Sequence, residues 1–244
     1  MNFDPALLAF AAAIFLLAGL VKGVIGLGLP TVSMGLLGLL MPPAQAAALI
    51  VVPSLVTNLW QLAAGPRFVS LLRRLGTLFL AICAGTWAGA GLLAGDSGQA
   101  ATGLGAALVL YAIAGLASVK LEVPRKAERW LSPLAGFATG FAGAATGVFV
   151  LPAVPYFQSL GLEKEEFVQA LGLSFTVSTL ALATDLARTG AFAPSVAGVS
   201  LAALLPALAG MAIGARVRAW IAPLVFQRCL FAALLVLGAT LILR

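Results

Sequence analysis

A bilayer's hydrocarbon core is about 30 Å thick, so a helix rising 1.5 Å per residue needs about 20 apolar residues to cross it. This sequence is cut to that length again and again. Residues 44–64, 71–93, 98–118, 167–187, 194–214 and 221–243 are apolar runs of that size. Turn residues or charges separate them: Gly65-Pro66-Arg67, Gly95-Asp96-Ser97, Lys120 to Arg129, Glu163-Lys164-Glu165-Glu166, and Arg216 with Arg218. The pattern predicts an all-α polytopic membrane protein. Composition agrees, because 62% apolar and 9% charged residues leave too little charge to cover a soluble domain of 244 residues.

The remaining runs are shorter and broken. Residues 5–21 lead into Lys22-Gly23-Val24-Ile25-Gly26-Leu27-Gly28-Leu29-Pro30-Thr31, and residues 30–41 end at Pro42-Pro43. Later, residues 131–142 and 147–158 flank Gly140-Phe141-Ala142-Gly143-Ala144-Ala145-Thr146-Gly147. The order of long and short runs is thus the same in both halves. Single positions match as well: Thr57-Asn58 with Ser178-Thr179, Arg67 with Arg188, Gly85 and Gly89 with Gly210 and Gly214, and Gln99 with Gln227.

Five segments per half make the second half start from the opposite face, an inverted repeat of the kind many secondary transporters share. The predicted division is residues 1–118 as the first repeat, 119–130 as a cytoplasmic linker, and 131–244 as the second repeat. The 28 residues of 131–158 fall short of the roughly 40 that two crossings need, which favours a re-entrant hairpin.

Charge sets the orientation. Arg67, Arg73, Arg74, Lys120, Arg125, Lys126, Arg129, Lys164, Arg216 and Arg218 fall on one side. Arg188, Arg244, Asp4 and Asp96 fall on the other. The positive-inside rule puts the first side in the cytoplasm and both termini outside the inner (plasma) membrane. The net charge of +6 is therefore read as orientation. Nucleic acid is not an expected partner, because no basic domain gathers these residues.

Residues 7–20 are expected to stay in the fold, because a signal peptide would carry Lys or Arg early on, where the only charge here is Asp4. Histidine is absent, and no Ser/Lys pair or pair of carboxylates forms a catalytic pattern. No enzyme activity, cofactor or metal is expected. Cys83 and Cys229 sit in apolar runs without ligand spacing and read as packed small hydrophobes. The partners expected are a small anion and the lipid bilayer, with a homodimer left open.

The breaks carry the functional expectation. Non-helical backbone at membrane depth survives only against protein or a water-filled cavity. A helix starting there aims unpartnered N–H groups and a partial positive charge at the membrane centre. Pro30 suits a first helical turn and Thr146 an N-cap. Two such starts make an anion site. The residues expected to form it are Lys22, Gly26, Gly28, Thr31, Asn58, Gly143, Thr146, Gly147, Ser174 and Ser178.

Lys22 has a bland alternative, a lysine snorkelling to the interface. Thr57, Gln61 and Thr176 lie beside these positions, where hydroxyls often bond only to their own helix. Asp185 and Arg188 have the i, i+3 spacing of a structural ion pair, with ion coupling at Asp185 as the alternative. Gly85, Gly89, Gly91, Gly210 and Gly214 read as close-packing positions.

The twice-repeated pattern of Gly-rich turn, short Pro-flanked helix and full-length helix with small polar residues resembles the TauE/SafE family of sulfite exporters and anion permeases. The matching stretches run from Lys22 through Trp60 and from Gly136 to Pro155. The resemblance implies movement of sulfite, thiosulfate or small organosulfonates across the inner membrane, coupled to an ion gradient. Another solute or a channel is the alternative. A cation site would want several membrane acids, and only Asp185 is available.

Overall fold

A computed structural model of the chain describes residues 5–117, 122–218, 220 and 222–243. Asp4, Ser118, Lys120, Ile221 and Arg244, used above for segment limits or charge, lie outside the described residues. The described residues form ten helices and no strand: α1 Pro5–Ile25, α2 Leu29–Gly38, α3 Pro43–Ala63, α4 Phe68–Ala88, α5 Ser97–Ala117, α6 Arg125–Thr146, α7 Ala153–Ser159, α8 Lys164–Arg188, α9 Pro194–Val217 and α10 Pro223–Leu243. Seven of them (α1, α3, α4, α5, α8, α9 and α10) are long and apolar enough to cross a membrane.

The run expected over residues 131–142 is corrected here. It belongs to the 22-residue α6, about 33 Å long, which takes in Arg125, Lys126, Glu128 and Arg129. Those charges fit a helix because they are paired or exposed. Glu128 receives Arg74 through two bonds, Nε at 2.9 Å and Nη2 at 2.7 Å, and the same Nη2 reaches the Leu160 carbonyl at 3.1 Å. Apolar content alone missed these first turns. The seven residues of α7, about 10 Å, are too few to cross.

The main pairings are α1 along α9, α4 along α6, α5 along α10 and α3 along α8. Adding five to every helix number, counted cyclically, turns the first pairing into the second and maps the other two onto themselves. All four pairings close on glycine, α5 with α10 through Gly105 and Gly238, and α3 with α8 through Gly172. A methyl on Gly136 or Gly140 would overlap the Leu78 or Ile82 carbonyl of α4, and one on Gly210 or Gly214 would overlap the Leu16 or Leu20 carbonyl of α1. Gly85 meets the Phe137 carbonyl of α6 in the same way and Gly89 lies against the Ala144 side chain, so all four matched glycines sit at close helix contacts, as expected. Gly91 differs: it has φ +82 and open space beside it, so it turns the chain after α4. Cys83 is half-buried, but Cys229 is exposed, because the outward face of α10 has no helix over it to pack against.

Helices α3 and α8 are the most buried of the seven spans. Pro53 interrupts α3 and cannot donate to the Leu49 carbonyl one turn back. Ser200 Oγ on α9 donates to that carbonyl instead, at 2.8 Å, and accepts the Val52 N–H at 3.1 Å. At the far end of α3, Gln169 of α8 donates to the Leu62 and Gly65 carbonyls and accepts the Arg67 N–H at 2.8 Å. These side chains satisfy backbone groups that a helix kink and a helix end leave open.

Candidate functional site

At the first break, α1 ends with the Gly26 N–H on the Lys22 carbonyl at 2.7 Å. Gly26 and Gly28 take φ +86 and +108, left-handed values that other residues adopt only at a cost. The chain then enters α2 directly: Gly28 is the N-cap, Pro30 lies in the first turn, and the Val32 N–H donates to the Gly28 carbonyl at 2.8 Å. The Leu29 and Thr31 N–H groups precede that bond, so the helix itself offers them no acceptor. Polar side chains of α3 hold this corner. Gln61 Nε2 donates to the Gly26 carbonyl at 2.9 Å, and Lys22 Nζ donates to Asn58 Oδ1.

The second break is built differently, and the expectation of a helix starting at its glycines is corrected. Gly143 lies inside α6, which runs to Thr146 and is closed by Gly147 at φ +72. Thr146 is not an N-cap, because its Oγ1 donates back to the Ala142 carbonyl at 2.7 Å and accepts the Val148 N–H at 3.2 Å. Residues 148–150 are irregular, and α7 begins only at Ala153, with Pro152 before it. Proline fits the start of a helix and not its interior, so Pro152 fixes that start well past the glycines.

The two breaks nevertheless meet. A cavity of about 30 Å³ is lined by Gly28, Pro30, Thr31 and Met34 from the first and by Gly147, Phe149 and Val150 from the second. It has room for about two waters, or an anion of a few heavy atoms. The span α3 adds Ala47, Ile50, Val51 and Ser54, and α8 adds Phe175, Ser178, Thr179 and Leu182. Three hydroxyls in this lining, on Thr31, Ser54 and Ser178, are each 1% exposed and have no partner. Buried hydroxyls are nearly always hydrogen-bonded, so three open ones around one cavity mark a place for a polar guest. Among the described residues, no ionisable side chain lines the cavity.

Of the residues expected from sequence, Gly28, Thr31, Gly147 and Ser178 come together here. Lys22, Gly26, Asn58, Gly143, Thr146 and Ser174 do not line the cavity. Ser174 is buried without a partner. Thr57 and Thr176 bond to their own helices, at 2.7 Å to the Pro53 and Gly172 carbonyls. The ion pair expected between Asp185 and Arg188 does not form: Asp185 turns inward to accept the Gly91 N–H at 3.2 Å, and Arg188 is exposed. Ser54 was missed. The available signal was its place one turn before Asn58, directly after the helix-interrupting Pro53.

Residues 11–241 match the family of the sulfite exporter TauE/SafE, and the chain belongs to that family, one of membrane transporters. No curated protein and no solved structure matches the chain.

Proposed function

We propose that this chain is a secondary transporter of small oxyanions, foremost sulfite or organosulfonates, with the sulfur oxyanion group held in the cavity between the two breaks. The observation that carries the reading is the convergence of unpartnered donors there: the Thr31, Ser54 and Ser178 hydroxyls with the first amides of α2. An anion has lone pairs for all of them, and the start of α2 adds its partial positive charge. With no lysine or arginine in the lining, the anion is held by dipoles and can leave again. Met34, Ile50, Val51, Phe149, Val150 and Phe175 supply apolar walls, where such hydrogen bonds are stronger than in water. A cation is served poorly, because no carboxylate lines the cavity.

In this reading the halves are inverted repeats in the inner membrane with both termini outside, and α3 with α8 forms the centre on which the breaks close. The test is exchange of labelled sulfite, thiosulfate, sulfate, taurine and sulfoacetate by the purified protein in liposomes. Saturable exchange of a sulfur oxyanion is expected. A protein that inserts but exchanges none of the five ends the reading.

A further inference from the structure

We propose that Lys22 carries a proton through the transport cycle, so that the chain moves its anion together with a proton. The inference rests on the transport reading above.

Lys22 is 4% exposed and is the only buried lysine or arginine among the described residues. A snorkelling lysine would bring its ammonium to the surface, and this one does not. Its partner is neutral, the Oδ1 of Asn58. Among the described residues, the elements packed around α1 offer no counter-ion. Helices α2 and α3 contain no ionisable residue, α9 contributes Arg216, and α10 contributes Arg228 and Cys229, all three exposed. The ion pairs among the described residues, Arg67–Glu166 and Arg74–Glu128, are formed elsewhere. The contact with Asn58 is not a closed structural network either, because Asn58 Nδ2 is buried without a partner.

Position gives this unpaired group its use. Val21, the preceding residue, packs against Gly28 in the wall of the anion cavity. Ile25, one turn further along α1, lines a second and larger cavity of about 730 Å³, together with Leu27, Gln158, Gln227 and Glu122. Glu122 and Gln158 are exposed, so this cavity reaches the surface. Lys22 itself reaches Asn58, one turn along α3 from the cavity-lining Ser54, and lies one turn along α1 from Ile25 of the second cavity.

A buried ammonium without a counter-ion is expensive in a membrane protein, and an anion in the neighbouring cavity supplies one. Protonation and anion binding then favour each other, and the favour is reciprocal. The step is R–NH2 + H⁺ → R–NH3⁺ when the anion loads, with the proton taken from water on that side. The reverse occurs when the anion leaves, and the proton goes to water on the other side. No other bond changes.

The experiment uses the full chain in liposomes containing a pH-sensitive dye, with labelled anion exchange measured on the same preparation. Probes are thiosulfate and sulfoacetate, with sulfite as a third anion; for sulfite the comparison between wild type and variant cancels any proton the anion itself carries. In wild type, about one proton is expected to accompany each anion driven by its own gradient. In Lys22→Arg and Lys22→Gln, anion exchange is expected to persist at a reduced rate while anion-driven proton movement drops to background. Asp185→Asn is expected to keep the proton movement.

Three results overturn the inference: a wild type that exchanges anion without proton, Lys22 variants that still move protons, or loss of proton movement only in Asp185→Asn. The wild-type measurement decides even if the variants fail to fold. A wild type that exchanges no anion at all is a different outcome, and it is the transport reading that then falls.

Discussion

Replacing Gly147 by alanine asks whether the second break shapes the anion cavity. Its φ of +72 is left-handed, which costs an L-residue about 1–2 kcal/mol. The added methyl would also stand 2.5 Å from Met34 Cε and 2.9 Å from Sδ. Met34 is buried and lines the cavity, and the end of its flexible side chain can yield, so relieving that contact costs little but moves the cavity wall. The strain against the geometry seen here is therefore about 1–2 kcal/mol, where each 1.4 kcal/mol is about tenfold in an equilibrium.

The expected outcome is about a tenfold loss of anion exchange in Gly147→Ala while the protein still inserts and elutes as one species in detergent. Two further alanines calibrate the result. Gly76 has open space beside it within α4, so Gly76→Ala is expected to exchange anion at the wild-type rate. Gly140→Ala drives a methyl into the Ile82 carbonyl and the Thr86 nitrogen, backbone that cannot step aside, and is expected to lower the unfolding temperature and the yield. Wild-type exchange in a correctly inserted Gly147→Ala would refute the argument that the second break forms the site.

Thr31→Val, Ser54→Ala and Ser178→Ala each remove a hydroxyl that bonds to nothing in the protein. Thermal stability should hardly change, while KM for the transported anion rises about tenfold, as for a lost hydrogen bond to a charged group; an unchanged KM in all three moves the anion elsewhere. Ser200→Ala is expected to do the reverse. It leaves the Leu49 carbonyl without its donor beside Pro53, costs about 1–3 kcal/mol of stability, and should barely alter KM; detergent melting curves check it. A reporter fused at the C-terminus is expected to be active only outside the cytoplasm, and a cytoplasmic signal there would remove the proposed orientation.

The spans were legible because their signal is long and redundant. Lipid demands about 20 apolar residues each time, and seven helices meet that demand among the described residues. Helix α6 was legible only in part, because its first turns are charged, and their fitness as helix depends on Arg74 of another helix closing on Glu128. The glycine at the first break was legible for a local reason: Gly28 followed by Pro30 specifies both a left-handed turn and a helix start. The second break carries the same kind of glycine but not the same consequence. Where a helix restarts after Gly147 is decided by Pro152, and the glycines do not encode it. The open hydroxyls were the least legible, because a serine that bonds to its own helix and one that bonds to nothing look alike in sequence.

That difference between the breaks changes what kind of anion site is proposed for the chain. Two symmetric helix starts would make the backbone sufficient, and the full-length spans would be scaffolding. Here α2 starts at the cavity and α7 starts six residues past Gly147. The donors missing on the second side are replaced by Ser54 of α3 and Ser178 of α8, from the two most buried spans. In the proposed site, anion recognition is shared between a broken segment and the central pair of helices. A shift of α3 against α8 would separate Ser54 from Ser178 and alter the site without unfolding either break. Selectivity among oxyanions should accordingly respond more to substitutions at Ser54 and Ser178 than to substitutions in the first turn of α7.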